Sequence, residues 1–231
     1  MSNVSRLLLA RSFVLCLFAS LVAPAVHAQA TTGNSTLDRH LSRLDLGISG
    51  FGAITKSVSG INERDHLKVD QNASTTVGAL VTIRYTKSPW LGGEFNYGYA
   101  RYTENFTNAT NASIPNQYIT GGVQTNANEY SLGYVAHPPR LLLSAHPFIA
   151  VGAGSTAFRP TTGGGQKLPE QARMTYYYAV GAEQNVFNDH FGLRIQLRQT
   201  FFKAPDFQAN YLRIQQQTWT IEPAAGFFLR F

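Results

Sequence analysis

Cysteine is nearly missing from this chain of 231 residues; Cys16 is the one example. It lies in an amino-terminal stretch that reads as a removable leader, and Leu15 before it is too large for a lipid-attachment cleavage pattern. A mature chain without cysteine excludes disulfides and thiolate metal sites as its source of stability. After the leader no run of eighteen apolar residues occurs, which excludes a transmembrane helix. No Lys/Arg-rich block occurs either, so nothing points to nucleic acid. Gly163-Gly164-Gly165 lacks the Lys-Ser/Thr and the strand-to-helix context of a phosphate loop, and reads as a loop tip.

The leader has the three parts of an export signal. Arg6 and Arg11 supply positive charge, Ser12 to Val26 is apolar, and Val26-His27-Ala28 fits a small-residue cleavage site. This predicts a signal peptide over residues 1–28 and a mature chain from about Gln29. Losing Arg6 and Arg11 lowers the formal charge from +6 to +4. Residues 29–42 are polar and read as a short periplasmic leader, with a brief helix near Leu37 to Leu44 as the alternative.

The composition is rich in Gly, Tyr, Phe, Thr and Asn, which suits strands and turns. The clearest strand is Thr218 to Phe231. Trp219, Ile221, Pro223, Ala225, Phe227, Leu229 and Phe231 share one face; Thr218, Thr220, Glu222, Ala224, Gly226, Phe228 and Arg230 share the other. Side chains in a strand alternate between faces, so one face is apolar throughout and the other mixed. Seven earlier segments repeat this: Arg43 to Thr55, Ala73 to Thr86, Trp90 to Thr103, Val123 to Val135, Pro147 to Phe158, Arg173 to Val186 and Phe191 to Phe202. The faces of Pro147 to Phe158 cannot be assigned from its pattern.

The connections alternate in length. Lys56–Gln71, Glu104–Gln124, Arg159–Ala172 and Lys203–Gln216 are long; Lys87–Pro89, His137–Ala145 and Asn188–His190 are shorter. Transmembrane barrels join strands by short periplasmic turns and longer outer loops. Spanning strands need roughly 9–11 residues, and each segment reaches that. The non-apolar face carries Arg84, Glu94, Glu129, Glu183, Arg194, Arg198, Glu222 and Arg230. A soluble barrel would keep its apolar face inside; here aromatics such as Trp90, Tyr99, Tyr134, Phe191 and Trp219 stud the ends of the apolar face, as interfacial girdles do. The expected fold is all-β: an eight-stranded antiparallel transmembrane β-barrel over residues 43–231.

At these residues the chain resembles the small eight-stranded outer membrane barrels of the OmpA transmembrane-domain and OmpX type. The likeness rests on strand and loop rhythm, on FGLRIQLRQTFFKAP at 191–205, and on the ending. Gly226, Leu229 and Phe231 resemble the carboxyl-terminal assembly signal of such proteins; Ala224 departs from it. The resemblance implies the cell outer membrane as location. It implies outer membrane lipids, lipopolysaccharide and the barrel assembly machinery as partners, with the extracellular ligand unspecified.

Four Glu and four Arg on inward positions predict a buried ionic network, because buried charges must be paired. That network is read as a plug, with a gated ion path as the alternative. His66 beside Asp65 and near Glu63 could compose a catalytic or metal set, but without a spacing motif it reads as solvated loop. The Asn-X-Ser/Thr triplets at Asn72, Asn105, Asn108 and Asn111 read as polar loop composition. The expectation is a non-enzymatic barrel without cofactor or metal, in a structural or surface-interaction role, anchoring four extracellular loops. A narrow pore and a lipid-modifying enzyme are the alternatives.

Overall fold

The computed structural model describes residues 36–63, 66, 68–108, 121–139, 141, 144–188, 190–208 and 212–231. The predicted signal peptide and most of the predicted leader lie outside them. Within the leader, α1 (Thr36–Leu41) is helical, in line with the alternative reading of that stretch. Every strand lies in the unit from Leu41 onward.

Among the described residues eleven strands follow. Eight form the barrel wall: β1 (Leu44–Thr55), β4 (Thr76–Ser88), β5 (Leu91–Asn108), β6 (Gly121–Ala136), β7 (His146–Pro160), β8 (Gln171–Asn188), β9 (Phe191–Lys203) and β11 (Gln217–Arg230). Each pairs antiparallel with its neighbours, and the ring closes by β1 on β11, in a register that sets Asp45 opposite Arg230 and Ile48 opposite Phe227. Closure removes every free edge from the wall, as a strand in lipid requires.

The other three strands correct the sequence reading. The stretch taken as a polar loop after β1 is a hairpin, β2 (Val58–Asn62) paired with β3 (Lys68–Ala73). It continues the sheet above the wall, because β3 pairs with the far end of β5 from Ala73↔Glu104 to Val69↔Asn108. In the last long connection β10 (Leu212–Arg213) pairs with β2. The signal missed was alternation: Val58, Asn62, Val69, Gln71 and Ala73 are buried between exposed or half-buried neighbours.

Alternation fixes the faces of the wall. Ile48, Val77, Phe95, Leu132, Ile149, Val180, Ile195 and Phe227 point outward and are exposed. On β7, whose faces the sequence left open, Phe148, Ala150, Thr156 and Phe158 point in, while Ile149 and Val151 point out. The glycines between them blur the pattern but serve a purpose. A Cβ at Gly152 or Gly133 would collide with the ring or hydroxyl of Tyr177, so these positions make room for that side chain in the lower lumen.

Candidate functional site

The interior is built in layers from inward positions of the wall. The first lies near the short turns. Arg84 Nη2 is 2.8 Å from Glu94 Oε2, and its Nη1 contacts Glu183. Arg194 Nε lies 3.0 Å from Glu183 Oε1, and its Nη2 lies 2.8 Å from Asp45 Oδ1. Strand register assembles the set: Asp45 sits opposite Arg84, Arg84 opposite Glu94, and Glu183 opposite Arg194. Both guanidiniums are 1% exposed, so desolvation must be offset by these charge-assisted bonds. Phe148 and Phe228 add ring faces 4.5 and 5.2 Å from Arg84 and Arg194.

The second layer is centred on Arg198. It contacts Glu129 and holds Glu222 at 2.8 Å, and Ser131 lies 3.4 Å from its Nη2. Thr200 donates to Glu222 at 3.2 Å. The Tyr177 ring stacks 4.4 Å beneath the Arg198 guanidinium, and its hydroxyl donates to Glu94 at 2.8 Å, joining the layers. Asn96 donates to both Glu94 and the Tyr177 oxygen at 3.0 Å and accepts from Thr82 at 2.7 Å.

Above this the lumen turns apolar. Phe51, Tyr102, Phe158 and Phe202 pack across it, with Phe158 5.4 Å from Phe202 between ring centroids. Val69 and Phe106 continue upward, and Phe207, Leu212 and Ile214 come down from the last long connection to seal the top. A cavity of about 40 Å³ remains between this layer and Glu129 and Glu222. Buried in the apolar layer, Glu104 accepts a 2.8 Å hydrogen bond from Gln71, whose amide also donates to the Pro205 carbonyl at 2.9 Å.

Seven of the eight charged residues singled out from the sequence are thus buried inward: Arg84, Glu94, Glu129, Glu183, Arg194, Arg198 and Glu222. Arg230 faces the same way but stays at the mouth, 38% exposed and 3.8 Å from Glu183. The eight charged residues leave out Asp45, Asn96 and Tyr177, although the same parity puts all three on inward faces. Glu104, the first residue of the long connection expected from the sequence, belongs to β5. Gly226 is inward with its backbone close to Ser49 of β1, leaving no room for a Cβ; Leu229 is outward and pairs with Leu46. His137, in a short connection, lies 3.9 Å from Glu183, but burial pushes its pKa down, against the charged form.

The loop set does not assemble a catalytic centre among the described residues. His66 is exposed on a left-handed backbone (φ 58°), Glu63 is committed to Arg213 at 3.0 Å, and Asp65 lies outside the described residues. Among the described residues no group of three or more His, Cys, Asp or Glu is arranged to hold a metal ion.

A family model for the outer membrane protein beta-barrel domain matches residues 15–226. The chain belongs to that family. This outer membrane barrel also resembles solved structures. Neisserial surface protein A is 12% identical, with a TM-score of 0.48, over 80% of this chain and 97% of the other. Ail, the attachment invasion locus protein of Yersinia pestis, solved with the heparin analogue sucrose octasulfate, is 14% identical at a TM-score of 0.42, over 81% and 99%. The amino-terminal barrel domain of Pseudomonas aeruginosa OprF is 11% identical at 0.38, over 80% and 97%. A search of curated proteins found no match. Likeness at these levels is one of architecture and carries no ligand or activity to this barrel.

Proposed function

We propose that this outer membrane barrel is a closed, non-enzymatic anchor that holds an ordered recognition surface on the outer face of the cell. The observation that carries the reading is the filled lumen. Two ionic layers, a tyrosine between them and an aromatic layer above occupy the cross-section, and an eight-stranded barrel leaves little more than side-chain space. The described parts of the first and last long connections, by contrast, are folded onto the wall: β3 extends β5, and β10 and Phe207 close the top. A conducting barrel would keep its mouth open.

In this reading residues 1–28 direct export, the barrel assembly machinery inserts the chain, and Gly226, Leu229 and Phe231 present its final strand to that machinery. The four long connections face outward among lipopolysaccharide, and the short turns face the periplasm. The apolar belt meets the lipid tails.

Two measurements test it. The refolded chain in a planar bilayer gives no steady current; a reproducible current altered by Arg198→Ala together with Glu222→Ala establishes the pore instead. Ser57→Cys, between β1 and β2, is labelled on intact cells by a membrane-impermeant maleimide, while Lys87→Cys, beside a short turn, is labelled only after the outer membrane is opened. The reverse pattern inverts the barrel and removes the proposed role.

A further inference from the structure

At the loop end, between the rims of β8 and β9 and the folded connection that carries β10, lies a cleft of about 730 Å³. That volume suits a ligand of one or two rings. Its lining is polar. Arg173 and Lys203 come from the wall, Asp206 and Arg213 from the connection, and Glu63 from the end of the β2–β3 hairpin.

The hydrogen-bonding capacity of the cleft is unevenly spent. Gln171 is saturated: its oxygen accepts from the Asp206 and Phe207 amides at 3.1 and 3.0 Å and from Arg173 at 3.1 Å, and its amide donates to Asp206 at 2.8 Å. Asp206 is equally occupied, since it also accepts from Arg173 at 3.4 Å and from the Gln208 and Ile214 amides at 3.4 and 3.3 Å. These bonds hold the connection in shape, including the left-handed backbone of Phe207 (φ 50°) and Gln208 (φ 52°). Glu63 is matched by Arg213.

What remains is donor capacity. Among the described residues no carboxylate pairs with Lys203, and the buried Nε of Arg173 has no partner. Arg213 is held in place as well as paired. Turned with its oxygen toward the guanidinium, the Gln215 amide accepts from Nε and Nη2 at 2.5 Å. Three cations face two carboxylates, both already engaged. The amide side chains of Gln208 and Gln215 line the same cleft and suit ring hydroxyls.

We infer that this cleft binds a sugar ring bearing one anionic group, carboxylate or phosphate. Lys203 and Arg213 take the charge, and the glutamine amides take hydroxyls. Such a group could belong to an acidic surface polysaccharide or to a phosphorylated sugar of lipopolysaccharide; the chemistry recognised is the same. The inference deepens the recognition role proposed above and rests on it for biological access, but the binding itself is measured on the isolated barrel.

The test is a titration of the ¹⁵N-labelled chain, refolded in detergent micelles, with glucuronic acid, glucose 6-phosphate, glucose and inorganic phosphate at matched ionic strength. Saturable amide shifts around Gln171, Lys203 and Arg213 are expected from one or both charged sugars, and which of the two binds tighter separates the polysaccharide from the phosphosugar. Lys203→Gln with Arg213→Gln weakens binding about tenfold or more, as expected for a lost charge-assisted contact. Lys203→Gln alone, which breaks no ion pair, gives a smaller loss and guards against misfolding of the double variant. Equal response to glucose removes the anionic requirement, and equal response to phosphate removes the sugar. No saturable shift, or undiminished binding in both variants, overturns the site. A failed surface-labelling pattern would strike the recognition role while leaving this binding result intact.

Discussion

The Tyr177 hydroxyl donates to Glu94 Oε1 at 2.8 Å, while its ring carries the Arg198 guanidinium at 4.4 Å. One side chain therefore couples the two ionic layers, satisfying a carboxylate of the first and stacking under the cation of the second. Tyr177→Phe keeps the ring and removes the donor, leaving a buried carboxylate short of one bond. A loss of about 1–3 kcal/mol is expected, read as a shift of the urea midpoint for unfolding from lipid vesicles.

Gly152→Val tests the space that Tyr177 occupies. The added side chain meets the tyrosine ring and the Leu132 carbonyl, so the ring must leave its seat. The cost is about 1–3 kcal/mol of overpacking. In the Tyr177→Ala background the share of the cost due to the ring disappears while the clash with the Leu132 carbonyl stays, and a double-mutant cycle reports the ring's share.

Arg198 holds two carboxylates in the buried second layer, whereas Arg230 stands 38% exposed at the mouth, so the two arginines are not equivalent. Arg198→Met leaves Glu129 and Glu222 buried without their cation and costs about 3–5 kcal/mol. Arg230→Ala, at the exposed mouth, changes stability by no more than about 1 kcal/mol. Equal effects would mean that the interior is wetter than its burial implies.

Ile195 and Ile61 are exposed to similar degrees, 61% and 55%, but sit in different surroundings. Ile195 lies mid-strand on the belt; Ile61 lies on the β2–β3 hairpin above it. Ile195→Lys costs about 2–4 kcal/mol because the ammonium meets hydrocarbon. Ile61→Lys stays within about 0.5 kcal/mol, as a surface change in water does. Equal costs from both would remove the lipid-facing belt.

The hairpin carries a pH-sensitive contact. Ser59 Oγ donates to Asp70 at 2.6 Å and Lys68 lies 3.2 Å away, and these hold the Asp70 carboxyl below its ordinary value. A depressed folded-state pKa gives a contribution that is present above the unfolded value of about 3.9 and lost as pH falls through the lower folded value. Carboxyl carbon shifts of Asp70 should titrate below ordinary aspartate, and Ser59→Ala should move the midpoint up.

The wall was legible because period-two alternation is strong wherever one face meets lipid and the other meets packed polar groups. Thr218 to Phe231 shows it in full, and the register that buries Glu222 follows from it. Legibility failed where small residues replaced the contrast: β7 hides its inward face behind Gly152 and Gly154, and the role of Gly152 appears only once Tyr177 is seen opposite. It failed again above the membrane. There Val58, Val69 and Phe207 are buried against the rim instead of meeting lipid, so a polar average over Lys56–Gln71 concealed a hairpin. The cleft was invisible for a related reason. Arg173, Lys203 and Arg213 are brought together by the ring of strands and the fold of one connection, and no spacing along the chain announces them.

The pairing of β1 with β11 sets a schedule. One edge of the first strand has its partner 165 to 185 residues downstream, from Thr55↔Thr220 to Asp45↔Arg230. The bond between Arg194 and Asp45 waits for the same event. Until the final strand arrives, neither the seam nor the Arg194–Asp45 pair that completes the lowest ionic layer can form, and an apolar-faced sheet with two open edges is prone to adhere to other chains. The chain is thus most vulnerable in transit and gains its protection in one late step.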